Sequence, residues 1–196
     1  MELDIHLCED ELVVIHDDTL ERTSNGKGLV SSTPLAELRR LDAGNGATIP
    51  LLDEVFDILP PEIGINIELK GKATAERLAR WLPGTADRAI LLSSFDHQSL
   101  EDFRRKRGDY RLAPLFGRWN RSAINIALDF GSGYINLGRK LVSRQRIDEI
   151  NRVGLRALVY TVNEPEEARR FFDYGVWGVF TDFPDRISRE WLLTGG

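Results

Sequence analysis

Short apolar runs alternate with helical patterns along most of the chain. The runs at 3–7 and 12–16, then 64–69, 89–93, 112–116, 133–137, 155–161 and 176–181, have the length of strands. Helical patterns follow nearly every one. Ala75, Leu78, Ala79 and Leu82 recur at i, i+3, i+4 and i+7, the spacing of one buried helical face. Two helix starts are expected: Thr33 as an N-cap ahead of Pro34, and Asn163 as a cap to which Glu166 returns its carboxylate. This alternation predicts a mostly parallel sheet with helices packed on its outside.

Merging the first two runs as a hairpin-like pair leaves about seven core strands, where a (β/α)8 barrel needs eight. An open doubly wound sheet could stop at seven, but the chain has no glycine-rich phosphate loop of the dinucleotide or P-loop kind. The better expectation is an α/β fold, a (β/α)8 TIM barrel without its first β/α unit, spanning 1–196 as a single incomplete barrel. Residues 17–46 are polar, turn-rich and out of rhythm, and read as an insertion or active-site loop.

Composition narrows the chemistry. The 196 residues carry 26 basic and 31 acidic side chains, a formal net charge of −5, so there is no basic excess to neutralise nucleic-acid phosphates. One cysteine, Cys8, excludes an internal disulfide framework and a multi-cysteine zinc site. No apolar run approaches the roughly 20 residues of a membrane span, and no signal peptide is visible, so a cytoplasmic location is expected.

The placement of charge is more informative. Side chains alternate faces along a strand, so Glu2, Asp4 and His6 share one face while Leu3, Ile5 and Leu7 take the other. Asn66, Glu68 and Lys70 oppose Ile65, Ile67 and Leu69 in the same way. Apolar residues toward helices and charged residues toward a lumen suit a barrel active site. Three carboxylates there need compensation, and oxygen donors without cysteine suit a hard ion, Mg²⁺ or Ca²⁺. Solvated or salt-bridged strand ends are the alternative reading. His16 closes an apolar run and precedes Asp17 and Asp18; it is either a turn residue or a general acid, since imidazole titrates near neutrality. His6 could fill the lumen, His97 fits a helix start, and Cys8 has no base beside it and is expected to be inert.

Glu2-Leu3-Asp4, 11–17 (ELVVIHD), 20–28 (LERTSNGKG), 38–44 (LRRLDAG), 49–52 (IPLL), 65–70 (INIELK), Ser93-Ser94-Phe95, 159–163 (VYTVN) and 179–182 (VFTD) together resemble the glycerophosphodiester phosphodiesterases, most nearly the small bacterial cytosolic type. The resemblance implies a (β/α)8 barrel and divalent-cation-dependent hydrolysis of a small-molecule glycerophosphodiester to glycerol 3-phosphate and an alcohol. It implies Glu2, Asp4 and Glu68 as metal ligands, His16 as one of two catalytic histidines, and Lys70 on the phosphate. Tyr160 and Asn163 would line the pocket, and 17–46 would be the family's insertion on the glycerol side.

The family pattern opens with a His-Arg-Gly strand and a Pro-Glu-Asn-Thr helix ahead of the E-x-D strand, and this sequence contains neither. His16 is thus expected to lack its histidine partner, and Met1 stands where the family has an apolar strand residue. A shortened chain with weak activity and open sheet edges is the resulting expectation. A noncatalytic barrel that binds metal or phosphodiester, or serves as an interaction module, is the alternative. Oligomeric state and head-group alcohol are left open.

Overall fold

The computed structural model describes residues 1–82 and 88–187; the last nine residues of the expected 1–196 barrel lie outside that range. The chain divides into two compact units, Met1–Arg111 and the part from Leu112 onward.

The first unit contains β1 (Glu2–Cys8), β2 (Glu11–Val14), α1 (Leu35–Leu38), α2 (Leu52–Ile58), β3 (Ile65–Leu69), α3 (Thr74–Trp81), β4 (Ile90–Ser94) and α4 (His97–Lys106). β1 and β2 form an antiparallel hairpin, with Ile5 opposite Val14 and Cys8 opposite Glu11. Its two-residue turn places Glu9 in the left-handed region (φ 54°), and the Glu9 carboxylate accepts from Leu35 N at 3.2 Å. β1 pairs in parallel with β3, and β3 with β4. The sheet edge expected to lie open beside β1 is therefore lined by β2 along Ile5–Cys8, and Ile15 N adds a bond to Asp4 O at 3.1 Å.

The face pattern holds in three dimensions. Leu3, Ile5, Ile65, Ile67, Leu69 and Leu92 are buried. In α3, Ala75, Leu78 and Ala79 are buried, and so is Leu82 just beyond it. A fully buried leucine is worth about 2 kcal/mol of apolar transfer. The 17–46 segment has its own small core: Leu20, Val30 and Leu38 pack with Ile49 against Cys8, Val13 and Ile15 of the hairpin. Arg39 ties this segment to α2, its Nη1 donating to Ile49 O (2.5 Å) and its guanidinium gripping both Glu54 oxygens (2.8 and 2.5 Å).

The second unit contains β5 (Arg111–Phe116), α5 (Ala123–Asp129), β6 (Tyr134–Gly138), α6 (Arg144–Arg152), β7 (Arg156–Tyr160), α7 (Pro165–Asp173) and β8 (Gly178–Val179). Its strands are parallel, β5 with β6, β6 with β7, and β7 with β8. Phe116, Ile135, Leu137, Ala157 and Val159 point into a core completed by the helices. Seven parallel strands plus the antiparallel β2 thus occupy the described residues, matching the count from apolar runs.

Both expected helix caps fail. Pro34 itself holds the N-cap position of α1, and the Thr33 hydroxyl donates back to Leu29 O at 2.9 Å. Its proton is spent closing the preceding turn, while the Glu9 carboxylate serves the helix end. In α7, Pro165 sets the first turn, because its ring fixes φ and it has no N–H to satisfy. Asn163 lies outside the helix, and its amide is consumed elsewhere, as described below.

Candidate active site

The register of β1 and β3 sets Glu2 opposite Asn66 and Asp4 opposite Glu68. Parallel neighbours lie about 4.8 Å apart, so in-register carboxylates on one face are forced together. The register cannot slip by one residue without turning Leu3, Ile5, Ile65 and Ile67 out of the core and the acids into it. Glu2, Asp4 and Glu68 each offer a carboxylate oxygen, and these oxygens lie within 4.8 Å of one another.

Lys70, one residue past β3, reaches back over the cluster. Its Nζ is 2.6 Å from Glu68 Oε1 and 3.3 Å from Asp4 Oδ1. One ammonium against three carboxylates leaves charge uncompensated. Burial, then the charges of Asp4 and Glu68, push the Glu2 carboxyl up to about 8. Glu2 as a residue is exposed at the mouth of the cluster, so solvent moderates the energy behind that shift. Burial also raises the Glu68 carboxyl, against the opposing pull of Lys70, and the acids raise Lys70 itself against its own desolvation. Three oxygen donors short of positive charge are a donor set that fits a hard divalent cation.

Asn66 Nδ2 donates to Ser93 Oγ of β4 at 2.9 Å, and Ser94 Oγ donates to Leu69 O, fixing the strand ends beside Glu68. Phe95 follows β4 half-exposed, its ring centroid 5.8 Å from Lys70 Nζ.

His16 follows β2 and is exposed. Its Nδ1 lies 2.5 Å from Asp17 Oδ1. Arg22 grips the same carboxylate through Nε to Oδ2 (2.5 Å) and Nη2 to Oδ1 (2.7 Å). His6 is buried on the Asp4 face with Nε2 3.5 Å from His16 O, and burial pushes its pKa down. Cys8 is buried, donates to Thr33 O at 3.2 Å, and has its thiol raised by burial, the opposite of an activated nucleophile. At the start of α4 the cap is Asp96, which accepts from Gln98 N, with His97 the first helical residue.

The structure therefore gathers Glu2, Asp4, Glu68 and Lys70 in one cluster and places His16 in the same unit. Tyr160 and Asn163 belong to the second unit. Tyr160 ends β7. Asn163 donates to Asp182 Oδ2 (2.8 Å), and its Oδ1 accepts from Thr181 Oγ1 (3.2 Å) and Asp182 N (3.0 Å), tying the segment after β7 to that after β8. Sequence reasoning missed the Asp17–Arg22 grip; the adjacency of His16 and Asp17 was visible, but a partner five residues on has no periodic signature. It also missed the Asn66–Ser93 bond, which depends on the β3–β4 register.

The sequence model of the glycerophosphoryl diester phosphodiesterase family matches residues 1–186. A glycerophosphodiester phosphodiesterase of Bacillus altitudinis is 32% identical over 213 residues, covering 96% of this chain and 84% of that protein. Another from Caldanaerobacter subterraneus is 30% identical over 207 residues, covering 95% and 83%. Among solved structures, an Oleispira antarctica phosphodiesterase in complex with the product sn-glycerol-3-phosphate superposes with a TM-score of 0.88 at 26% identity, covering 95% of this chain and 82% of that one.

Proposed function

From the premise that this chain belongs to the glycerophosphoryl diester phosphodiesterase family, and so to the phosphoric diester hydrolases built on a (β/α)8 barrel, we propose that it hydrolyses a glycerophosphodiester to glycerol 3-phosphate and an alcohol at the Glu2–Asp4–Glu68 cluster. The observation that carries the proposal is the convergence of three carboxylates within 4.8 Å beside Lys70. The product bound to the Oleispira antarctica relative supports the same substrate class.

Glu2, Asp4 and Glu68 would hold Mg²⁺ or Ca²⁺, which would supply Lewis-acid charge to the phosphate. Lys70 would add positive charge where negative charge develops on the phosphoryl oxygens. His16 moves a proton at Nε2: Nδ1 faces the Asp17 carboxylate, which has no proton to give, so Nδ1 carries the ring hydrogen. The attacking oxygen, a substrate glycerol hydroxyl or water, loses its proton as it bonds to phosphorus and the bond from phosphorus to the alcohol oxygen breaks. Where the glycerol hydroxyl attacks, water then opens the resulting cyclic phosphate to give glycerol 3-phosphate. The alcohol oxygen leaves with a proton, so two acid–base groups are needed, and His16 is one. Asn163 orders the loop ends beyond β7 and β8 as its first role.

The test is turnover of glycerophosphocholine with added Mg²⁺ or Ca²⁺, by this chain and by a version carrying a His-Arg-Gly β/α unit ahead of Glu2. A second acid–base group is worth roughly 10²–10⁴ in rate, so the extended version should be faster by that order. Equal absence of turnover in both would overturn the proposal.

A further inference from the structure

We infer that Arg22 is a positioning residue for His16: by gripping Asp17 through two hydrogen bonds it holds the imidazole with Nδ1 protonated and Nε2 presented to substrate. This rests on the proposed acid–base role of His16, but the ring state itself is measurable without turnover.

The geometry distinguishes the trio from an ordinary surface pair. An exposed ion pair is worth little unless it is bidentate, and the Arg22 guanidinium meets both Asp17 oxygens side-on, at 2.5 and 2.7 Å. Arg22 is also preplaced. Leu20 is buried in the small core of the 17–46 segment. Ser24 N (3.0 Å) and Ser24 Oγ (2.7 Å) both bond to Leu20 O, closing the turn that carries Arg22. The guanidinium therefore starts from a backbone already fixed against the hairpin, and the entropy of orienting Asp17 is largely met by folding.

Hydrogen-bond inventory then fixes the tautomer. Nδ1 lies 2.5 Å from Asp17 Oδ1 and 3.0 Å from Arg22 Nη2. It can donate to the carboxylate or accept from the guanidinium, but not both. The Arg22 hydrogen bonds, with that from His16, hold the Asp17 carboxyl far below its ordinary range, so the carboxylate is an acceptor only. At 2.5 Å the Nδ1 lone pair cannot face a carboxylate oxygen without a proton between them, so Nδ1 is the donor, and Nη2, which carries two hydrogens, gives one to Oδ1 and none to Nδ1. Without Arg22, Asp17 is free to rotate into solvent and the ring loses its fixed orientation. Without the Asp17 charge, Nη2 is placed to donate to Nδ1 and invert the tautomer.

The experiment uses the full chain with ¹⁵N-labelled histidine and long-range ¹H–¹⁵N correlation at a pH where imidazole is neutral. His16→Gln identifies the His16 signals among the three histidines. The expected result is an Nδ1–H ring in the unmodified protein, a shift toward Nε2–H in Asp17→Asn, and a mixed, more mobile ring in Arg22→Ala that Arg22→Lys restores only in part. Thermal unfolding confirms that each variant is folded. In the extended barrel, Arg22→Ala should lower kcat roughly 10–100-fold, the size typical of removing a group that orients a reacting residue, with KM nearly unchanged. An Nε2–H ring in the unmodified protein, or an Arg22→Ala spectrum identical to it, would overturn the inference. A raised KM with intact kcat would do so too, by making Arg22 a substrate-binding group. Absence of turnover in both the unmodified and the extended protein, with the ring state as expected, would instead refute the proposed function alone.

Discussion

Replacing Lys70 with methionine removes the ammonium from the acidic cluster while keeping the length of the side chain. Lys70 Nζ sits 2.6 Å from Glu68 and 3.3 Å from Asp4. Once it is gone, carboxylates within 4.8 Å of one another face each other unscreened. Each such pair repels by about 3.5 kcal/mol at an effective dielectric of about 20, and breaking a buried charge network by removing one partner costs about 3–5 kcal/mol. The cost depends on pH with a definite sign. Glu2 and Glu68 already titrate above their unfolded values, Glu2 at about 8, and Lys70 is among the groups holding both down. A carboxyl with a raised folded pKa contributes stability that is fully present below its unfolded pKa and is lost as pH rises through the folded one. Metal-free protein should therefore weaken from the acid side toward pH 8, and Lys70→Met should weaken more steeply. Urea unfolding with a chelator present should show a difference from the unmodified protein of about 3–5 kcal/mol near pH 9 and a clearly smaller one near pH 6. A divalent cation at a hundred times its Kd should return about 2.7 kcal/mol. An equal loss at both pH values would show that Lys70 acts by packing, and the charge argument would fail.

Other outcomes follow from the same structure. Titration calorimetry should register Mg²⁺ or Ca²⁺ uptake that disappears in Glu68→Gln; uptake unchanged by that substitution would remove Glu68 from the ligand set. In the extended barrel, His16→Ala should lower kcat roughly 10²–10⁴-fold, and unchanged turnover would end its acid–base assignment. Arg39→Ala should cost about 2 kcal/mol in urea unfolding, since it severs the Ile49 carbonyl and both Glu54 oxygens at once. Gly175→Ala should cost about 1–3 kcal/mol: the residue has φ 93°, and a Cβ there would sit 2.7 Å from Asn151 Nδ2, whose bond to Gly175 O it would displace. A melting temperature unchanged in Gly175→Ala would contradict that reading.

Much of the site was legible because strands have a period of two. Glu2 and Asp4, or Asn66 and Glu68, can be assigned to one face from spacing alone, and the apolar residues between them name the other. Helix caps were less legible. Thr33 and Asn163 carry the right side chains in the right places, yet each had a partner distant in sequence or outside the helix, Leu29 O for one and the Thr181–Asp182 segment for the other. A capping rule counts only partners inside the helix, and a hydrogen bond goes to whichever partner folding brings within reach.

The sequence by itself determined the alternation of strands and helices, the faces of β1 and β3, the oxygen-only character of the candidate ligand set and the inertness of Cys8. Those properties depend on neighbours along the chain and on residue chemistry. Tertiary structure decided which strands lie in register, and so that Glu68 stands beside Asp4 with Lys70 between them. It also decided that the 17–46 segment packs its own core on the hairpin and delivers Arg22 to Asp17. Such features depend on distances across closed loops, which the one-dimensional pattern does not contain; they are set when burial of Leu20, Ile5 and Ile67 fixes the backbone on which the charged groups ride.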